Sequence, residues 1–186
     1  MLKCFRNSVF LYICGMKTIS IKKTFFILCF IFLSSVFLSQ VFSYKILYVV
    51  DKTPKKITKK INFKSQDLKN LIQQSLDITK EELSFNLSST GNSDVNFLNK
   101  TKQAHCVGYS NYFNSILNNL LTYNNIKNIR IHHVRAKVNF LGMDLHFINM
   151  KEFKDHDICI IYDDRTNTKY IVDPSLSEIF GDIILN

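Results

Sequence analysis

The chain has 186 residues, room for one ordinary domain, and its 46% hydrophobic content is enough to fill a core. Five glycines and two prolines exclude a collagen-like segment or a long flexible linker, and there is no internal repeat or nucleotide-binding glycine loop. The net charge of +9 excludes little by itself, but five of its lysines and arginines (Lys3, Arg6, Lys17, Lys22 and Lys23) stand beside an apolar N-terminal run. Residues 44–186 keep 19 basic against 15 acidic residues, which is no nucleic-acid footprint.

Residues 1–43 read as an address. Thr24 to Phe42, TFFILCFIFLSSVFLSQVF, carries no charge and follows Lys22-Lys23, the flank and apolar stretch of an export signal. Val41-Phe42-Ser43 suits cleavage before Tyr44. The run is also about long enough to span a bilayer, so an uncleaved anchor through residues 24–42 is the alternative. In both readings the domain is exported: periplasmic, extracellular, or membrane-anchored with the domain outside the cytoplasm. Met1 to Gly15 adds an apolar patch that an ordinary signal lacks, and Met16 is the expected true start. Cys29 lies in no lipobox-like setting. Cys4, Cys14 and Cys29 all fall in the address, leaving Cys106 and Cys159 in the exported part.

Residues 44–64 form a basic lead-in. Tyr44 to Val50 reads as a strand or an extended segment, and Lys52, Lys55, Lys56, Lys59, Lys60 and Lys64 as a solvated cluster, with contact to an anionic surface as the alternative. The domain proper is expected over 65–186. Ser65 is the expected N-cap of a helix that buries Leu68, Leu71, Ile72 and Leu76 and ends near Leu83. Asn86 to Asp94 is a loop. From Cys106 the apolar positions Tyr109, Tyr112, Phe113, Ile116, Leu117, Leu120 and Leu121 recur at three and four, which predicts a buried helix ending near Tyr123. The period then changes. Ile129 to Phe140, Met143 to Met150, His156 to Tyr162 and Lys169 to Val172 read as strands, the last two joined by a turn at Asp163 to Thr168. Helices followed by strands with short turns predict an α+β domain with an antiparallel sheet.

Cys106 begins the strongest helical stripe, where the dipole and unpaired N–H groups favour the thiolate. His146, in Leu145-His146-Phe147, and Asp173, before Pro174, follow in chain order as base and orienter. Each has a plainer reading: a buried helix cysteine, a core-edge histidine, an aspartate opening a turn. Gly108 allows a substrate or the sheet to come close. Gln103 is a weak oxyanion candidate beside the backbone N–H of Cys106. His105 is expected in a supporting or exposed position, and Tyr109 and Tyr112 in the core. Cys159 lies in a strand-like apolar run and reads as a free buried thiol, with a Cys106–Cys159 disulfide as the alternative. His105, Cys106, His132, His133 and His146 include usable metal ligands, but no pair has zinc-site spacing, and adjacent His132 and His133 point to opposite faces of a strand. Neither metal nor cofactor is expected.

The blocks Cys106-Val107-Gly108-Tyr109-Ser110, His146 with Asn149, and Tyr170-Ile171-Val172-Asp173-Pro174-Ser175 resemble the three signature blocks of the transglutaminase-like superfamily. The resemblance covers about Phe97 to Leu176. Phe147-Ile148 depart from the small residue and aromatic that often follow the family histidine. The resemblance implies a papain-like arrangement and thiol acyl chemistry on a peptide or protein substrate, without choosing among hydrolysis, cross-linking and deamidation. The expected activity is that of a peptidase or amidase. The alternative is a catalytically inactive module of the same fold, with a binding or structural role at the cell envelope.

Overall fold

The computed structural model describes residues 42–50, 57, 61–89, 94–145 and 156–186. The chain divides into two units, Met1–Val41 and Phe42–Asn186, and every described element belongs to the second. The expected signal or anchor up to Val41, the start at Met16, most of the basic cluster and His146 lie outside the described residues.

Among the described residues, four helices and an antiparallel sheet make this an α+β unit. The helices are α1 (Leu68–Glu82), α2 (Val95–Thr101), α3 (Cys106–Tyr123) and α4 (Pro174–Phe180). The sheet holds β1 (Phe42–Val49), β4 (Ile129–Phe140), β6 (His156–Asp163), β7 (Thr168–Val172) and β8 (Ile184–Leu185) in that spatial order, with β5 (Met143–Asp144) also pairing β4. A short parallel bridge joins β2 (Ser84–Phe85) to β3 (Gln103–Ala104). The lead-in thus contributes an edge strand, with Phe42 opposite Phe140 and Tyr44 opposite Val138, so the ordered sheet begins ahead of residue 65. Cleavage before Tyr44 would fall inside β1.

Local chemistry sets the other boundaries. α1 is capped by Asp67, whose carboxylate accepts from Lys69 N–H at 2.9 Å, while the Ser65 hydroxyl accepts from the Asp67 N–H instead of capping the helix itself. α2, not predicted as a helix, starts at Asp94, which accepts from the N–H groups of Asn96 and Phe97. It stops at Lys102, whose φ of 57° leaves the helical region. The β6–β7 hairpin matches the predicted turn between Asp163 and Thr168.

α3 is the centre of the unit. Twelve of its residues between Gly108 and Leu121 are buried, too many for one amphipathic stripe, so it is enclosed on most sides. Tyr109, Tyr112, Phe113, Ile116, Leu117 and Leu120 are fully buried, each contributing about 1.5–3 kcal/mol for the large apolar side chains. The two tyrosines keep polar partners: Tyr112 Oη donates to Asn99 Oδ1 at 2.6 Å and Tyr109 Oη to the Leu83 carbonyl at 2.9 Å. β6 is buried on both faces. Cys159 and Ile161 join the cluster packed with α3, and Ile158 and Ile160 belong to a second cluster with Val134 and Ala136.

Gly108 fixes how close α3 comes to its neighbours. A Cβ there would lie 2.7 Å from Ala104 Cβ and 3.4 Å from Leu98 Cδ1, so β3 and α2 occupy the space that the glycine leaves. On an exposed helix, Gly→Ala gains about 1 kcal/mol. Here Gly108→Ala is expected to lose about 1–3 kcal/mol by overpacking, read as a lower urea midpoint. An unchanged midpoint would mean that the start of α3 shifts without resistance.

Candidate active site

Cys106 is the first residue of α3, and its thiol is half-buried and free. The turn that presents it is short. Lys102 ends α2, Gln103 and Ala104 pair with β2, and His105 in extended conformation caps α3. His105 Nδ1 accepts from the Val107 N–H at 3.2 Å, taking up one of the donors that a helix start leaves without an intrahelical partner. His105 is therefore the N-cap of α3, directly before Cys106.

β6 opens on His156 and Asp157, and both meet the thiol. Asp157 Oδ2 lies 3.9 Å from Cys106 Sγ, and the His156 imidazole is near enough to the sulfur to lower the thiol's pKa. His156 Nε2 is 2.6 Å from Asp173 Oδ2, which leaves Nδ1 as the nitrogen for the thiol. Asp173 follows β7 directly and is buried, as is His156. Its carboxylate is held from two sides. Oδ1 accepts from Ser175 Oγ at 3.1 Å and from the Leu176 N–H at 3.0 Å, which caps α4. Oδ2 meets Tyr44 Oη at 2.8 Å as well as His156. Cys106 and Asp173 both interact with His156. His146 lies outside the described residues, and the histidine that joins them is His156.

Strand arithmetic held the signal for His156. In the β6–β7 ladder Cys159 faces Val172 and Ile160 faces Ile171. Continuing that register by one residue sets Asp173 opposite Ile158, and His156, two residues on, shares Ile158's face. The sequence reading placed both strands and the turn but took its histidine from the preceding apolar run.

A second buried cluster backs the thiol. Asp157 Oδ1 meets His133 Nε2 at 2.7 Å, Oδ2 accepts from Arg135 at 3.2 Å, and the Asp157 carbonyl accepts from Ser110 Oγ at 2.9 Å. His133 Nδ1 meets Asn111 Oδ1 at 2.9 Å. Two residues of α3, Ser110 and Asn111, are thereby tied to β6 and β4 just beyond Cys106. His132 turns the other way and packs edge-on against Tyr162, so the adjacent histidines do diverge. Gln103 is exposed on β3, and its amide oxygen accepts from Asn86 at 2.9 Å.

The electrostatics separate the two cysteines. Burial pushes the Cys106 thiol up, but hydrogen bonds to His105 and His156, and the charge of His156, bring it down from 9.0 to about 7. Burial works against a charged His156, yet the Asp173 carboxylate and the thiol carry it up to about 10. Between those values the pair stands as thiolate and imidazolium. Burial also opposes the charge on Asp173, and His156, the Leu176 N–H and Tyr44 overcome it, so the carboxyl is held below its ordinary value. Cys159, free and fully buried, is driven far up by burial and is inert as a nucleophile.

No family model, curated protein or solved structure matches the chain.

Iodoacetamide labelling of Cys106, followed by mass spectrometry of its peptide, should show a midpoint near pH 7, against 9.0 for an ordinary thiol. In His156→Ala the midpoint should rise, because burial is then opposed by less. An unmoved midpoint would remove His156 from the site.

Asp173→Asn separates charge from capping, since Asn caps a helix about as well as Asp. Circular dichroism should show α4 retained while the Cys106 midpoint rises, because the carboxylate no longer holds His156 charged. The stability linked to Asp173 is present above its ordinary value of 3.8 and is lost as pH falls through its lower folded value. Acid unfolding of the Asn variant should lack that component.

Proposed function

We propose that the protein is an exported thiol enzyme of transglutaminase-like, papain-like fold that acts on peptide or amide bonds of a peptide or protein substrate. The observation that carries this reading is the set Cys106, His156 and Asp173: a thiol at a helix start, paired with a buried histidine that a buried carboxylate orients. The Cys-Val-Gly-Tyr and Asp-Pro blocks that resemble the superfamily contain two of the three groups.

The chemistry follows from that arrangement. The Cys106 thiolate attacks the substrate carbonyl, forming the C–S bond and moving the π electrons onto oxygen. The oxyanion is met by backbone N–H groups at the start of α3, the Cys106 N–H among them. The imidazolium of His156 gives its Nδ1 proton to the leaving amine as the C–N bond breaks, leaving a thioester. Water, or an amine in a cross-linking reaction, then loses a proton to Nδ1 and attacks the thioester, and the thiolate departs. Asp173 keeps Nε2 protonated and the ring in place throughout, as the third member of a triad does.

Export rests on the charge-free run ahead of β1, and the described residues contain no helix long and apolar enough to cross a membrane. Phe42, the last residue of that run, is also the first of β1, and its ring packs on Phe140 and Phe180 at 5.2 and 5.3 Å. Removing it would strip a packed strand end, which favours the anchored form over cleavage before Tyr44.

The decisive experiment sets three variants side by side on a panel of peptide amides and esters. Cys106→Ala should abolish turnover. His156→Ala should lower it by roughly 10²–10⁴. His146→Ala should leave it within a few fold of the parent. Loss in His146→Ala with retention in His156→Ala would reverse the base assignment. Activity that survives Cys106→Ala would end the thiol mechanism. A fold with no turnover and a slow, ordinary Cys106 would point to the inactive binding module.

A further inference from the structure

Tyr44 meets the site from a distant part of the chain. It stands on β1, an edge strand, whereas Asp173 closes β7, and β4 and β6 lie between those strands in the sheet order. The two residues are 129 apart in sequence, yet Tyr44 Oη is 2.8 Å from Asp173 Oδ2. The ring reaches that point through apolar surroundings. It packs against the cluster of Val134, Ala136, Ile158 and Ile160 and against that of Val138, Leu145, Leu176 and Ile183. A half-buried tyrosine in such surroundings still needs a partner for its hydroxyl, and here the partner is the carboxylate that orients the base.

The oxygen concerned matters. Ser175 and the Leu176 N–H hold Oδ1 and would serve α4 capping alone. Tyr44 donates to Oδ2, the oxygen that faces His156 Nε2. Two donors on one oxygen fix the carboxylate about its last torsion and draw charge from the atom that stabilises the imidazolium. Burial first, then the adjacent carboxylate, push the phenol far above its ordinary value, so it stays a donor at every working pH.

We propose that Tyr44 is a positioning residue of the site, which sets the direction and the strength of the Asp173–His156 bond from the edge strand β1. The inference rests on Cys106, His156 and Asp173 working together. It makes the strand that directly follows the apolar run a part of the active site. The sequence reading treated that strand as lead-in. Among the described residues, the other titratable groups that interact with His156 and Asp173 are Cys106 of α3 and Cys159 of β6, and the thiol adjoins His105 and Asp157, the latter carrying His133 and Arg135. None of these donates to Asp173 Oδ2 as Tyr44 does.

The test is the pH profile of iodoacetamide labelling at Cys106 in the full-length chain, comparing the parent with Tyr44→Phe. The parent profile should rise in two steps. The first forms the thiolate. The second, at high pH, follows loss of the His156 proton, when the unpaired thiolate becomes more nucleophilic. Phe keeps the ring in both clusters and removes only the donor. With one donor fewer, Oδ2 holds the imidazolium more firmly, so the second step should move up by about half a pH unit or more while the first stays in place. Buried Cys159 reports on the fold in the same digest, since it stays unlabelled while the sheet holds. A second step that is unmoved or lowered in Tyr44→Phe, with Cys159 still protected, overturns the role of Tyr44 and leaves the triad standing. A parent profile with no low first step, unaffected by His156→Ala, overturns the triad reading itself.

Discussion

The Asp173 carboxylate is the constraint on which the rest depends. It is buried, charged, and the meeting point of three elements: it ends β7, caps α4, and orients the first residue of β6. An isolated buried carboxylate is very costly, so its surroundings must supply donors on both oxygens. Ser175, the Leu176 N–H, His156 and Tyr44 do so. Satisfying that charge brings an edge strand, a central strand and a helix start to one place. The polar site and the packing of the sheet end are in this sense one structure.

Cys106 is governed by a balance of opposed effects. Its burial disfavours the thiolate, and the helix start and two imidazoles favour it. Asp157, close behind the sulfur, is held in place by His133 and Arg135. The same cluster ties Ser110 and Asn111 to the sheet, so the groups that set the local field also keep the first turn of α3 from moving relative to the base. Rigidity and electrostatics come from the same side chains.

Much of this was legible in the sequence, and the misses have physical causes. The three-and-four stripe from Tyr109 to Leu121 announced α3 because a buried helix must repeat its apolar residues with the helical period. Cys159 was readable as a buried thiol from its apolar strand. The short helices α2 and α4 were not, because seven residues carry too little periodicity; only Asp94 and Asp173-Pro174 marked their starts. His146 was chosen by its apolar neighbours, Leu145 and Phe147, and lies outside the described residues, whereas His156 is found from strand face and register. That information lies in the hairpin pairing, which single residues do not carry. Tyr44 was beyond reach for a related reason, since its partner is far away in the chain and no local pattern connects them.

β6 presents an imidazole and a carboxylate in consecutive positions, and consecutive positions leave a strand on opposite faces. A slip of one residue in the pairing of β6 would part His156 from Asp173 and Asp157 from His133 and Ser110 at once. A change of length in the turn between Asp163 and Thr168 disturbs the Arg130–Asp164 and Arg165–Asp163 pairs but leaves the pairing of β6 with β4 in register. An insertion or deletion within β6 itself has no such freedom. Sequence drift in this protein is therefore expected to be tolerant of length at the hairpin tip and intolerant of it along the strand, even at positions whose side chains never approach the thiol.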